Sequence, residues 1–227
     1  MKIRSVRIGS VPLIEADNGL GLRVQFSTFG ASIYAIYFDN KIMTLTADNA
    51  KDFARPDIYY GKTIGAIAGR IKDGIVNINN KTYAMKTNEG LNVLHGGDYC
   101  VSRYLFAPKI TNNSDVAFSI RYTFTKKKMK DNLPGNVKYI ISYYVSAKEN
   151  LILCDMRAQS NEDTIVALTN HSYFCLGDKD INNLILTVPA KKYVEPNKVN
   201  LVPEVEKDII PCLDFSCFYP QHHQLSG

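Results

Sequence analysis

The run Val116-Ala117-Phe118-Ser119-Ile120-Arg121-Tyr122-Thr123-Phe124 decides the fold class. Val116, Phe118, Ile120, Tyr122 and Phe124 alternate with small or polar residues, the period-two pattern of a strand with one buried face. A second run, 137–145, places Val137, Tyr139, Ile141, Tyr143 and Val145 on one face in the same way. Between them lie Lys126-Lys127-Lys128-Met129-Lys130, then Asp131, Asn132, Pro134 and Gly135, a composition that predicts an exposed hairpin connection. The alternation extends to Leu22–Phe26, Ser32–Phe38, Leu151–Ala158, Thr164–Thr169 and Leu184–Val188. Ile75–Ile78 and Lys81–Met85 flank Asn79-Asn80, a dipeptide that tolerates the positive φ of a tight hairpin turn. The only helical expectation is a short turn or helix over Ala50–Ala54, closed by Pro56. Many short strands separated by turn signals, with no internal repeat and no low-complexity linker, predict an all-β antiparallel sandwich or barrel, and 227 residues suit one large domain or two small ones.

Composition narrows the function classes. The chain has 227 residues, 45% hydrophobic and 22% charged, enough to bury a sizeable core. The net charge is +5, and the single lysine cluster lacks interleaved aromatics, so no nucleic-acid partner is expected. The five cysteines (Cys100, Cys154, Cys175, Cys212 and Cys217) are odd in number and contain no Cys-x-x-Cys pair, which points away from a disulfide framework or a zinc site. Met1-Lys2-Ile3-Arg4-Ser5-Val6-Arg7 lacks the apolar core of a signal peptide, and no run of about 18 apolar residues occurs, so neither secretion nor a membrane is expected. Reduced thiols in a cytoplasmic protein fit this pattern.

Two of the four histidines sit in polar loops between apolar runs: His95 in Asn92-Val93-Leu94-His95-Gly96-Gly97 and His171 in Leu168-Thr169-Asn170-His171-Ser172-Tyr173-Phe174. A histidine exchanges protons near neutral pH, so such a pair suggests acid/base chemistry or ligand orientation, although an isolated loop histidine is more often structural. Gly96-Gly97 lets a ligand approach the backbone beside His95. Arg70, crowded by small residues in Ile64-Gly65-Ala66-Ile67-Ala68-Gly69-Arg70-Ile71, is either a ligand contact or a partner for a carboxylate at a sheet edge. No Gly-Lys-Ser/Thr phosphate loop and no Gly-x-Ser-x-Gly elbow is present. The widely separated histidines make a poor zinc signature, and His222-His223 in the tail reads as solvated. No metal and no cofactor are expected.

In order, Phe29-Gly30-Ala31, Tyr60-Gly61 through Gly74, Asn88 through Gly97, Leu133-Pro134-Gly135-Asn136, Leu168 through Phe174 and Ile210-Pro211-Cys212-Leu213-Asp214-Phe215 resemble the successive motifs of the aldose 1-epimerase (galactose mutarotase) family. The resemblance implies a β-sandwich of the galactose-mutarotase type, a single incomplete domain over residues 1–227. It also implies interconversion of the α and β anomers of a hexose such as galactose or glucose. It implies that His171 is the general acid toward the ring oxygen, that His95 binds and polarises the sugar, and that Arg70 binds sugar hydroxyls. The family's C-terminal aspartate and its glutamate base have no counterpart before Gly227, and Gly69 stands where an Asn is common. The expectation is therefore an incomplete sandwich that lacks C-terminal strands and whose turnover as this chain is open. Two alternatives stand beside it: a hexose-6-phosphate 1-epimerase, or a carbohydrate-binding β-sandwich without turnover.

Overall fold

The computed structural model describes residues 1–178, 180–197 and 201–216, and the backbone of 219–220. Cys217, His222 and His223 lie outside the described side chains. The chain opens with a five-stranded antiparallel meander: β1 (Lys2–Ile8), β2 (Val11–Asp17), β3 (Leu22–Ser27), β4 (Ser32–Phe38) and β5 (Lys41–Ile42), paired in that order. A single helical turn, α1 (Ala50–Phe53), follows. Asn49 caps it by accepting the Asp52 N–H at 2.9 Å. Short strands come next: β6 (Thr63–Ile64), β7 (Arg70–Ile71), β8 (Ile75–Ile78), β9 (Lys81–Ala84) and β10 (Val93–Leu94). The second large sheet is again a meander, β11 (Ala107–Asn113), β12 (Ala117–Lys126), β13 (Val137–Ser146) and β14 (Ile152–Ser160). Beyond it run β15 (Thr169–Asn170), β16 (Ile185–Leu186), β17 (Lys192–Pro196), β18 (Pro203–Asp208) and β19 (Tyr219–Pro220).

Aromatic packing joins the two sheets. Phe26 of β3 stacks on Tyr143 of β13 with ring centroids 5.1 Å apart and lies 6.3 Å from Phe118 of β12. Phe118, Ile120 and Tyr122 on β12 and Val137, Tyr139, Ile141, Tyr143 and Val145 on β13 are all buried in this core, as the alternation requires. Each large apolar side chain so buried contributes about 1.5–3 kcal/mol. Tyr143 also donates its hydroxyl to the Ala31 carbonyl at 2.7 Å, which ties the sheets by a polar bond inside the apolar layer. A smaller core of Leu13, Tyr34, Ala35, Ala47 and Phe53 lies on the other face of the first sheet and seats α1.

The structure corrects several expectations. Asn79 and Asn80 both hold positive φ, as the hairpin between β8 and β9 demands. Val116, however, is exposed and precedes β12. Lys126, expected on an exposed loop, is buried and paired with buried Asp131 at 2.7 Å. Of 164–169, only Thr169 belongs to a strand; Ala167 forms an isolated bridge to Ile67. Strands β1, β2, β5, β6, β7, β10, β11, β17, β18 and β19 lie outside the alternating runs of the sequence. β11 and β18 are exposed at every residue, so they carry no alternating signal. Among the described residues no helix is long and apolar enough to cross a membrane.

Candidate functional site

Backbone pairing of short strands assembles the site. β7 pairs with β10, with Leu94 opposite Arg70, which places His95 just past Arg70. The His95 N–H donates to the Gly69 carbonyl at 2.9 Å, and the Gly69 N–H donates to His95 Nδ1 at 3.1 Å. With Nδ1 accepting, the neutral ring carries its proton on Nε2 and presents that N–H as a donor. His95, Gly96 and Gly97 all hold positive φ. A Cβ at Gly96 would lie 2.6 Å from the Gly65 carbonyl oxygen, so this glycine serves close approach of chain to chain rather than of ligand to chain.

β15 pairs with β6, with Asn170 opposite Thr63, and delivers His171 beside His95. The His171 N–H donates to the Lys62 carbonyl at 2.9 Å, and its own carbonyl accepts from Gly61 N–H at 3.0 Å. Asn170 braces the turn: its amide donates to the Gly61 carbonyl at 2.8 Å, and its Oδ1 accepts the Ser172 hydroxyl at 2.6 Å. The imidazoles of His95 and His171 meet edge to face, with centroids 5.2 Å apart and planes at 87°. Tyr59 contacts both, at 5.0 Å from His95 and 5.6 Å from His171, and Tyr173 lies 4.8 Å from His171.

Arg70 partners a carboxylate, one of the two readings open to it in the sequence. Its Nε and Nη2 donate to the two carboxylate oxygens of Glu89 at 2.5 and 2.8 Å, a bidentate pair next to the β7–β10 ladder. Of the five guanidinium N–H donors, Glu89 engages two and leaves three. Burial, the adjacent His171 and the Arg70 charge all hold the His95 pKa below its ordinary value, so this ring is neutral at pH 7. The Glu89 charge opposes that shift only weakly. Among the described residues no group of three His, Cys, Asp or Glu side chains is arranged to hold a metal ion.

The model of the aldose 1-epimerase family matches residues 12–211. The chain belongs to the aldose 1-epimerase family. Its similarity to the galactose mutarotase of Bos taurus is 28% identity over 193 residues, 82% of this chain and 54% of that protein. The aldose 1-epimerase of Streptococcus thermophilus is 28% identical over 213 residues, 90% of this chain and 60% of that protein. The chain therefore spans little more than half the length of these relatives. The solved galactose 1-epimerase of Lactobacillus acidophilus NCFM superposes with a TM-score of 0.88 at 23% identity, over 100% of this chain and 68% of that one. A homologue from C. elegans superposes with a TM-score of 0.83 at 24% identity, over 96% of this chain and 67% of that one. The antiparallel β-sandwich of the galactose-mutarotase type is thus shared with aldose 1-epimerases of known structure.

In this aldose 1-epimerase family member, the two histidine loops and Arg70 were visible in the sequence as candidates. Tyr59 was not, because an aromatic pair such as Tyr59-Tyr60 reads as ordinary core. Glu89 stood in the sequence beside the first histidine loop with nothing to show that it reaches Arg70.

Proposed function

We propose that this chain supplies the acid and sugar-binding half of an aldose 1-epimerase site for a hexose such as galactose or glucose. The observation that carries the reading is the contact of His95 and His171 at 5.2 Å, with Arg70 in the strand register next to His95. His171 is the general acid that protonates the ring oxygen as the C1–O5 bond breaks. His95, neutral and donating from Nε2, binds and polarises the sugar near that oxygen. Arg70 binds hydroxyls with the donors that Glu89 leaves free. The ring opens to the aldehyde, C1–C2 rotates, and reclosure returns the proton from O5.

Opening also requires a base for the O1 proton. Glu89 is the carboxylate beside this site, and both its oxygens are engaged by Arg70, which commits it to orientation rather than proton abstraction. In this reading the base is a carboxylate other than Glu89, the glutamate of the family's C-terminal motif. Polarimetry of freshly dissolved α-D-galactose tests this. Fusing the C-terminal segment of a full-length relative is expected to raise the rate at least about 10²-fold, the lower figure for one acid/base group, and His171→Asn to remove most of the gain. Family-level turnover by residues 1–227 alone would refute the assignment of the base. Sugar binding with no gain on fusion would favour the non-catalytic module instead. Residues 1–227 belong to a single domain in this reading, supported by the core that the two sheets share. A cytoplasmic location is supported by the free thiols of Cys100, Cys154, Cys175 and Cys212. The partner is a small-molecule hexose, with no role for nucleic acid or membrane.

A further inference from the structure

We propose that Lys62 is a positioning residue of this site: its buried ammonium clamps the 55–60 loop that lays Tyr59 against His95 and His171. The inference rests on the sugar-epimerase reading only for what the two histidines do; the clamp itself is a matter of geometry.

Lys62 is 1% exposed, and among the described residues no carboxylate forms an ion pair with it. A buried charge without a counter-ion is costly, so a space-filling role is better met by an apolar side chain. Its partners show a more specific task. Nζ donates to the Ile58 carbonyl at 2.6 Å and to the Arg55 carbonyl at 3.2 Å. The Ile58 carbonyl belongs to the peptide plane that leads into Tyr59, so fixing that oxygen fixes where the tyrosine departs from the chain. The ammonium also lies 4.8 Å from the Phe29 ring centroid and 5.1 Å from that of Phe53, within cation–π range of both. At its other end, the backbone carbonyl of Lys62 accepts the His171 N–H at 2.9 Å. One residue therefore fastens the loop carrying Tyr59 and the segment after β15 that carries His171, and Tyr59 touches both imidazoles.

The other charged or titratable groups facing Lys62 are Cys100 and Arg103, from the turns after the first histidine loop, and Asp57 on its own loop. Asp57 is engaged by Arg55 at 2.5 Å. Burial pushes the Lys62 pKa down to about 8. Deprotonation leaves two N–H donors but removes the charge that strengthens both carbonyl bonds and the attraction to the two rings. The site then slackens as pH rises. Global stability moves the other way. Because the unfolded lysine still binds its proton up to an ordinary value of 10.5, stability increases between about pH 8 and 10.5. A lysine that merely filled space would not separate site order from stability.

The test uses the full chain with its lysine amines and histidine rings isotopically labelled, titrated from pH 7 to 9.5 by NMR. The expected result is loss of the Lys62 charge near pH 8, with the His95 and His171 ring resonances shifting at the same midpoint while thermal stability rises. Lys62→Met should abolish that step and show the high-pH ring pattern already at pH 7. Cys100→Ala, which removes the neighbouring thiol, should retain the step. In a chain that turns over sugar, Lys62→Met should also lose at least about tenfold in kcat/KM at pH 7 and erase the alkaline limb of the profile. Ring resonances that stay fixed while Lys62 loses its charge would overturn the proposal, as would a Lys62→Met protein with the wild-type pH pattern. If Lys62→Met does not fold, the wild-type titration decides alone. If no mutarotation is found at all, the epimerase reading fails while the ring resonances still decide the clamp.

Discussion

Replacing Glu89 by alanine separates orientation of Arg70 from stability of the fold. The Arg70–Glu89 pair is about one-third exposed on each side, at 29% and 33%. Solvent screening therefore limits its contribution to folding to about 0.2–1 kcal/mol. For a chain of this size a loss of 1 kcal/mol lowers Tm by about 2–4 °C. Under the proposed function, the larger expected effect is on sugar binding. In the wild type, two charge-assisted bonds hold the guanidinium with three donors free. In Glu89→Ala that side chain becomes mobile and must be ordered when the sugar binds, against a rotamer entropy of about 2 kcal/mol in full. If half or all of that is felt, affinity falls about 5–30-fold. Glu89→Gln, which keeps one acceptor, should fall between. Calorimetric Tm and galactose binding by saturation-transfer NMR measure the two effects on the same samples. Unchanged or tighter sugar binding in Glu89→Ala would refute the reasoning, because it would mean that the carboxylate competes with the sugar for Arg70.

Other outcomes follow from the same geometry. The folded-state pKa of His95 lies below the ordinary 6.5, so the unfolded chain binds this proton first; stability falls as pH drops below about 6.5, and sugar binding falls with it as protonation of Nδ1 breaks the bond from Gly69. Urea unfolding from pH 7 to 5 should show that slope in the wild type and lose it in His95→Asn. At Gly61, where φ is +64°, a Cβ would lie 1.7 Å from the Ile33 carbonyl oxygen. Gly61→Ala should therefore cost more than about 4 kcal/mol and yield little soluble protein, and wild-type expression with an unchanged Tm would show that the backbone there relaxes freely. Lys62, lowered from 10.5 to about 8, should give a stability gain of about 3 kcal/mol between neutral and strongly alkaline pH, absent from Lys62→Met in denaturant melts.

The sequence was most legible where one face of a strand is buried. β12 and β13 were read from alternation alone, because every second residue meets the Phe26 layer and must be apolar. The hairpin at Asn79-Asn80 was read from backbone chemistry. β11 escaped because, exposed at all seven residues, it is held by ladder bonds to β12 rather than by side-chain burial. Lys126 departs from its expected exposure for the opposite reason: its charge points to solvent, while its partner, Asp131, five residues on, lies buried with it across the turn.

By itself the sequence determined the all-β class, the order of the family's motifs and the identity of the residues able to carry acid/base chemistry. Those are properties of local pattern and of side-chain type. Only the tertiary structure decided that His95 and His171 touch, that Arg70 is already held by Glu89, that Tyr59 lies against both rings and that the carbonyl of buried Lys62 accepts the His171 N–H. The reason is that these contacts depend on which short strands pair. The β6–β15 and β7–β10 ladders are two residues long and join segments far apart in the chain. Their pairing rests on backbone bonds, and the flanking segments are seated by the close approaches of Gly61 to Ile33 and of Gly96 to Gly65; neither leaves a periodic trace in the side chains.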